Sequence, residues 1–276
     1  MKEFFQRFKR HHLGLTGAII VIILFLVAFF APLIAPSDPR QVDLSNTLAP
    51  LSPKNPLGTD HLGRDLLSRI LYGTRIALIV GIGSVAIAAF CGGLAGLCAG
   101  YFGKVTDAII MRFLDVVWAF PPILLALALV AVRGASLSTV VFSIGIVGIP
   151  GHARIVRSSV LSVKEKTYIM AAKASGISHW KILIHHILPN ILAPVIVVST
   201  LSIAITIMIE ATLSFLGLGL QPPNDSWGLM ISEGQKYLRT YPYYSVFPGI
   251  MIMVIVFAFN VFGDGLRDAW DPKLKI

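Results

Sequence analysis

Residues 13–35 read LGLTGAIIVIILFLVAFFAPLIA, a run from Leu13 to Ala35 without one charged side chain. At a rise of about 1.5 Å per residue, a helix of this length covers the roughly 30 Å hydrocarbon core of a bilayer. Lys2, Arg7, Lys9 and Arg10 precede it. A basic start also opens a secretory signal peptide, but the apolar core of such a leader is only about 7–15 residues long. The run is therefore read as an uncleaved first span. Further apolar segments follow at about Ile76–Ala99, Ala108–Val132, Leu137–Val156, Ile191–Leu213 and Val246–Phe262. The fold class expected is an all-α integral membrane protein of six transmembrane helices.

Composition points the same way. Hydrophobic residues make up 55% of the chain and charged residues 13%, and the mean hydropathy is +0.79. A soluble domain carries about 25% charged residues. Six spans and their loops use nearly all of the 276 residues, which leaves no sizeable soluble domain. The net charge of +9 is spread beside apolar segments rather than in a dense or aromatic-interleaved tract. That argues against a nucleic-acid interface and for a topology signal. With the N-terminus inside, most of the 23 Lys and Arg residues fall in inner segments. The reading is a multi-pass protein of a bacterial or archaeal plasma membrane with both termini cytoplasmic. Cys91 and Cys98 are neighbours on one apolar helix, where a disulfide is geometrically disfavoured, and are read as packing residues.

Two parts are distinguished, 1–74 (tail, first span and outer loop) and 75–276 (five-helix core). The outer loop, about Pro36–Thr74, ends in Gly58-Thr59-Asp60-His61-Leu62-Gly63-Arg64-Asp65. Leu62, Leu66, Leu67, Ile70 and Leu71 then recur at helical spacing, with Thr59 or Asp60 as cap. A short amphipathic helix at the membrane surface is expected there. The inner loop, about Arg157–Asn190, reads as a helix from Lys164 to Ser175, a break at Gly176, and a second helix capped by Ser178 and ended by Pro189. Ala171, Ala172 and Ala174 leave the first helix nearly bare, a surface for close approach by a cytoplasmic partner.

Inside the spans, Gly92, Gly96 and Gly100 recur at four-residue spacing, the pattern of close helix–helix packing. Pro121 and Pro122 break the third span. Arg112 and Asp115 lie three apart on one face and are expected to pair, with a pathway role as the alternative. Glu210, near the outer end of the fifth span, has no partner in sequence; anchoring and a pathway or gating role both remain open. No G-x-x-x-x-G-K-[ST] loop and no H-E-x-x-H pair occurs, so no nucleotide, cofactor or metal site is read on this chain. His185 and His186 sit on the inner hairpin beside Lys181 as solvated or partner-facing groups. Ser84, in Gly81-Ile82-Gly83-Ser84, has no span histidine visibly placed to activate it.

Met170-Ala171-Ala172-Lys173-Ala174-Ser175-Gly176 with Ile187-Leu188-Pro189-Asn190 resembles the E-A-A-x-x-x-G signature of permease subunits of ATP-binding-cassette importers, with Met170 in place of its glutamate. The stretches 57–65, 213–223 with Ser226-Trp227-Gly228, and Gly263-Asp264-Gly265-Leu266-Arg267-Asp268 with Asp271-Pro272 resemble the C-type subunit of the peptide/nickel branch. The resemblance implies the type I importer permease fold and no enzymatic activity of the chain's own. It implies a homologous B-type permease, one or two ATPase subunits carrying ATP and Mg, and an extracytoplasmic substrate-binding protein. It also implies that residues 165–189 dock into the ATPase; Met170 removes one expected ion pair there. Cargo is expected to be di- or oligopeptides, with nickel or a metal chelate as alternative. An ion-coupled secondary transporter would instead show paired ionisable residues at the midplane.

Overall fold

A computed structural model describes residues 7–9 and 11–270. Lys2, Arg10, Lys273, Lys275 and the Asp271-Pro272 pair lie outside the described residues. Among the described residues, nine helices carry the architecture: α1 His12–Ile34, α2 Leu66–Phe102, α3 Lys104–Trp118, α4 Pro122–Arg133, α5 Leu137–Lys164, α6 Thr167–Ala174, α7 Leu188–Phe215, α8 Trp227–Gly234 and α9 Tyr243–Trp270. Five stretches are long and apolar enough to cross a membrane: α1, α2, α5, the continuous His179–Phe215 and α9. The sixth span is the pair α3 and α4, which meet at 84°. Pro121 and Pro122 sit at that corner, where the missing N–H groups and the ring sterics prevent a straight helix.

α2 is the central post, and α5 lies along it. Gly92, Gly96 and Gly100 form the seam. A Cβ at Gly96 would stand 2.4 Å from the Ala153 carbonyl oxygen, and one at Gly92 2.6 Å from that of Ile149. Only glycine admits backbones this close, and in lipid such packing replaces the hydrophobic effect as the force holding helices together. α9 packs on both α1 and α7. An apolar cluster including Leu24, Leu66, Ile70, Trp227, Met230, Tyr244 and Phe259 joins α1, α2, α8 and α9.

The outer segment departs from the expected surface helix. Leu66, Ile70 and Thr74 belong to α2 itself, which runs unbroken to Phe102. Its cap is Asp65 rather than Thr59 or Asp60: the Asp65 carboxylate accepts from the Ser68 amide at 2.7 Å and hydroxyl at 2.8 Å. No Pro or positive-φ residue interrupts the stretch, so the apolar turn at its start extends the span.

The 157–190 hairpin also differs in detail. α5 ends at Lys164 and α6 begins at Thr167, with a turn at Glu165-Lys166. Gly176, at φ +75, closes α6 by a Schellman motif: its amide donates to Lys173 O at 3.1 Å and the Ile177 amide to Ala172 O at 3.2 Å. Ser178 occupies the next N-cap position but makes no side-chain cap bond. Pro189 does not end the second helix. A π-helical stretch, Ile182–Ile187, leads directly into α7, with Pro189 in its first turn. Proline is tolerated at that position, the wider register changes which carbonyls lack donors, and Asn190 Nδ2 satisfies His186 O at 2.6 Å.

Candidate functional site

The hairpin is built onto the C-terminal ends of α2 and α5. Ile169, Ala172, Ile182, Leu183 and Ile187 pack with Tyr101, Val156, Val160 and Val163 in one buried cluster. Each fully buried isoleucine contributes about 1.5–3 kcal/mol where the alternative is water. Lys164 Nζ donates to Gly100 O at 2.7 Å, and Tyr101 Oη lies 2.8 Å from His179 Nδ1. Lys173 Nζ stands 4.9 Å over the Tyr101 ring. The hairpin is thus a rigid extension of two spans. Of the residues singled out in sequence, Met170, Ala171, Gly176 and Pro189 face outward, Leu188 is half-buried, and Ala172 and Ile187 point into the core. The alanine face is therefore narrower than the bare surface expected: Ala171 and Ala174 form it, and Ala172 packs inside. Tyr168, Met170, Trp180 and Ile184 are all exposed around it.

At the other end, the 58–65 motif is a folded staple. Gly58 and Gly63 take φ +82 and +73, and a Cβ at Gly63 would fall 1.8 Å from Asp43 O. Thr59 Oγ1 donates to Asn46 O at 2.5 Å and accepts from the Ala49 amide at 2.8 Å. Asp60 accepts from the Leu62 and Arg64 amides at 2.7 and 2.9 Å, from Arg64 Nε at 2.6 Å and from Arg69 at 2.7 Å. Asn55 holds the second oxygen of Asp65 at 2.9 Å.

Arg69, 0% exposed, is the hub that sequence reasoning missed. It donates to Asp60, to Asp225 at 3.0 Å, to Glu233 at 3.0 Å and to Tyr244 Oη at 3.1 Å. Three segments far apart in sequence converge on it, and no local pattern marks such a meeting. Burial pushes the Asp225 carboxyl above its ordinary value despite Arg69. At Glu233 burial pushes the same way, but Arg69 and the Tyr244 hydroxyl pull the carboxyl below its ordinary value. Asp60, His61 and Glu233 lie within metal-ligand reach of one another. Arg64 and Arg69 already neutralise both carboxylates, so the donor set is occupied by cations of the chain itself.

The charges inside the spans also find partners. Asp115 does not pair with Arg112; it accepts from Arg154 of α5 at 2.6 Å, and Arg154 stacks 4.1 Å over Trp118. α3 lies along α5, which places Arg154 closer than the neighbour one turn away. Asp107 and Arg157 form a second bridge, bidentate at 2.5 Å. Arg112 stays exposed. Glu210 is 2% exposed and accepts from the Ser214 and Ser226 hydroxyls, each at 2.7 Å. It ties the end of α7 to the segment entering α8. Cys91 and Cys98 are unpaired thiols.

A cavity of about 340 Å3 lies between α2, the α3–α4 corner, α5 and α7, with Ser84, Trp118, His152, Ser202 and Thr206 in its wall. Trp118 and Ile205 on its rim are 54% and 59% exposed, so it is open on that side. His152 does share this cavity with Ser84, but it faces away from it chemically. His152 Nδ1 lies 3.2 Å from Gly148 O and Nε2 3.5 Å from Ser199 Oγ, while Ser84 Oγ donates to Val141 O at 2.9 Å. No nucleophile–base pair forms.

Residues 92–276 match the family described as binding-protein-dependent transport system inner membrane component. Residues 1–53 match the N-terminal transmembrane domain of oligopeptide transport permease C. The chain is 45% identical over 274 residues to the dipeptide transport system permease protein DppC of Alkalihalophilus pseudofirmus, covering 99% of this chain and 90% of the relative. It is 44% identical over 275 residues to the glutathione transport system permease protein GsiD of Pectobacterium atrosepticum, covering 99% and 91%. Among solved structures it is similar to a chain of the inward-facing MetNI methionine ABC transporter, with TM-score 0.58, 16% identity, and 75% and 96% of the two chains covered. It is also similar to a chain of an amino acid ABC transporter determined with histidines, with TM-score 0.55, 14% identity, and 72% and 92% covered. At these identities the two structures speak to the fold alone.

Proposed function

The chain belongs to the binding-protein-dependent transport inner membrane components, the non-enzymatic permeases of ATP-binding-cassette importers, and we propose that its cargo is di- or oligopeptides. Relatives at about this identity are named for a dipeptide and for glutathione, itself a tripeptide, which favours peptides over nickel. On this reading the chain sits in the plasma membrane with both termini cytoplasmic. It forms half of the path beside a homologous B-type permease, receives cargo from an extracytoplasmic binding protein, and takes its energy from ATPase subunits below.

One observation carries the coupling part of the proposal: the hairpin from Thr167 to Ile187 is packed rigidly onto the inner ends of α2 and α5 while presenting Met170, Ala171 and Trp180 outward. A push on that surface moves two spans that wall the cavity. ATP-driven closure of the ATPase pair draws the hairpins together and tilts the bundles, and hydrolysis reverses the tilt. Met170 offers apolar contact where a carboxylate would offer an ion pair. The rigid Asp60–Arg69–Glu233 staple holds the outer ends of α2, α8 and α9 as one body during that movement.

The test is purification of the complex with its ATPase from cells expressing Ala171→Cys, followed by cross-linking and by peptide uptake into proteoliposomes. A cross-link to the ATPase and uptake that requires hydrolysable ATP are expected. Labelling of the introduced thiol from the outside, or ATP-independent uptake, refutes the assignment.

A further inference from the structure

On the reading of the chain as a peptide permease, we propose that Ser202 and Thr206 form a polar seam in the wall of the cavity between α2, α5 and α7 that hydrogen-bonds the backbone amide of the peptide in transit.

Ser84, His152 and Thr206 lie near the middle of α2, α5 and α7, and the wall around them is otherwise built from Val85, Ile144, Val147, Val198, Ile205 and Ile209. Ser202 and Thr206 are one turn apart, so their hydroxyls fall on one face of α7. Elsewhere on that helix hydroxyls close on the preceding turn: Thr200 donates to Ile196 O at 2.9 Å and Thr212 to Met208 O at 2.8 Å. That is the usual resolution for a hydroxyl among apolar neighbours. Among the described residues, Ser202 and Thr206 find no such partner, and neither hydroxyl is sealed off from the cavity.

A peptide crossing an apolar chamber must keep its amide groups satisfied, since each unmet group costs several kcal/mol in the absence of water. Hydroxyls both donate and accept, so they serve any backbone amide without selecting side chains. The seam therefore recognises what all peptides share and leaves side-chain selection to the binding protein.

The complete complex is reconstituted in proteoliposomes, and uptake is measured with saturating loaded binding protein. A dipeptide is compared with its depsipeptide analogue, in which the amide N–H is replaced by an ester oxygen. The wild type is expected to move the amide about fivefold faster, the effect of one neutral hydrogen bond. In Ser202→Ala/Thr206→Val that ratio falls to about 1, and in Thr206→Ser it is kept. If the double variant fails to assemble, Ser202→Ala alone is read for the same fall. A wild-type ratio near 1, a ratio unchanged in these variants, or loss of the ratio in Thr206→Ser overturns the seam. Absence of any peptide uptake by the wild-type complex overturns the peptide reading first and the seam with it.

Discussion

Gly96→Ala is predicted to destabilise the bundle while Gly93→Ala, three residues earlier on the same helix, does not. The added carbon at Gly96 stands 2.4 Å from Ala153 O, 2.8 Å from Val156 Cβ and 3.0 Å from the Arg157 amide nitrogen. Two of these three atoms belong to the backbone of α5, so no rotamer change relieves the clash. Ordinary contact begins near 3.4 Å, and the helices must therefore part by about 1 Å along a seam that Gly92 and Gly100 share. Overpacking of this kind costs about 1–3 kcal/mol. At Gly93 nothing lies within 4 Å of the added carbon. Both substitutions gain the same helix-propensity term of about 0.5–1 kcal/mol, so their difference isolates the packing clash at about 2 kcal/mol. The assay is unfolding of the purified protein in mixed micelles by added anionic detergent, followed by tryptophan fluorescence. Gly93→Ala should unfold at or above the wild-type midpoint and Gly96→Ala clearly below it. Equal midpoints for the two variants would refute the seam as the origin of the α2–α5 contact.

Arg69→Leu leaves the buried carboxylates of Asp60, Asp225 and Glu233 without their shared cation, a loss of about 3–5 kcal/mol, and should be read as failure to accumulate folded protein. Arg69→Lys should not rescue it, because a single ammonium cannot reproduce the planar fork. A double-mutant cycle between Asp115→Asn and Arg154→Gln should give a coupling of about 0.2–1 kcal/mol, as befits a half-exposed pair. The corresponding cycle between Asp115→Asn and Arg112→Gln should give none, and the reverse ordering would contradict the pairing found here. Glu233 has a folded pKa below its ordinary 4.5, so its ionised form contributes stability that is present above that value and lost as pH falls through the folded one. The part of the acid destabilisation that Glu233 carries should therefore appear in thermal melts below about pH 4.5, and Glu233→Gln should flatten that part of the profile.

The apolar periodicity of this chain is local information, and it sufficed for what is decided locally. The span 13–35, the breaks at Pro121-Pro122 and Gly176, the glycine seam and the helix–Gly–helix start of the hairpin were all legible, because helix formation, proline sterics and glycine's left-handed φ act within a few residues. Pro189 misled for a related reason: proline ends a helix when its carbonyls go unmet, and the π register with the Asn190 amide, neither visible in a residue pattern, met them. Asp115 shows the sharper limit. Its neighbour Arg112 is the obvious partner in sequence, yet α3 packs beside α5 and Arg154 takes the bond. Arg69 reaches Asp225 and Tyr244, 156 and 175 residues away. Lipid-facing stretches can be read one at a time because the solvent for each is the bilayer. Which buried charges meet depends on how the helices lean on one another, and only the tertiary structure decides that.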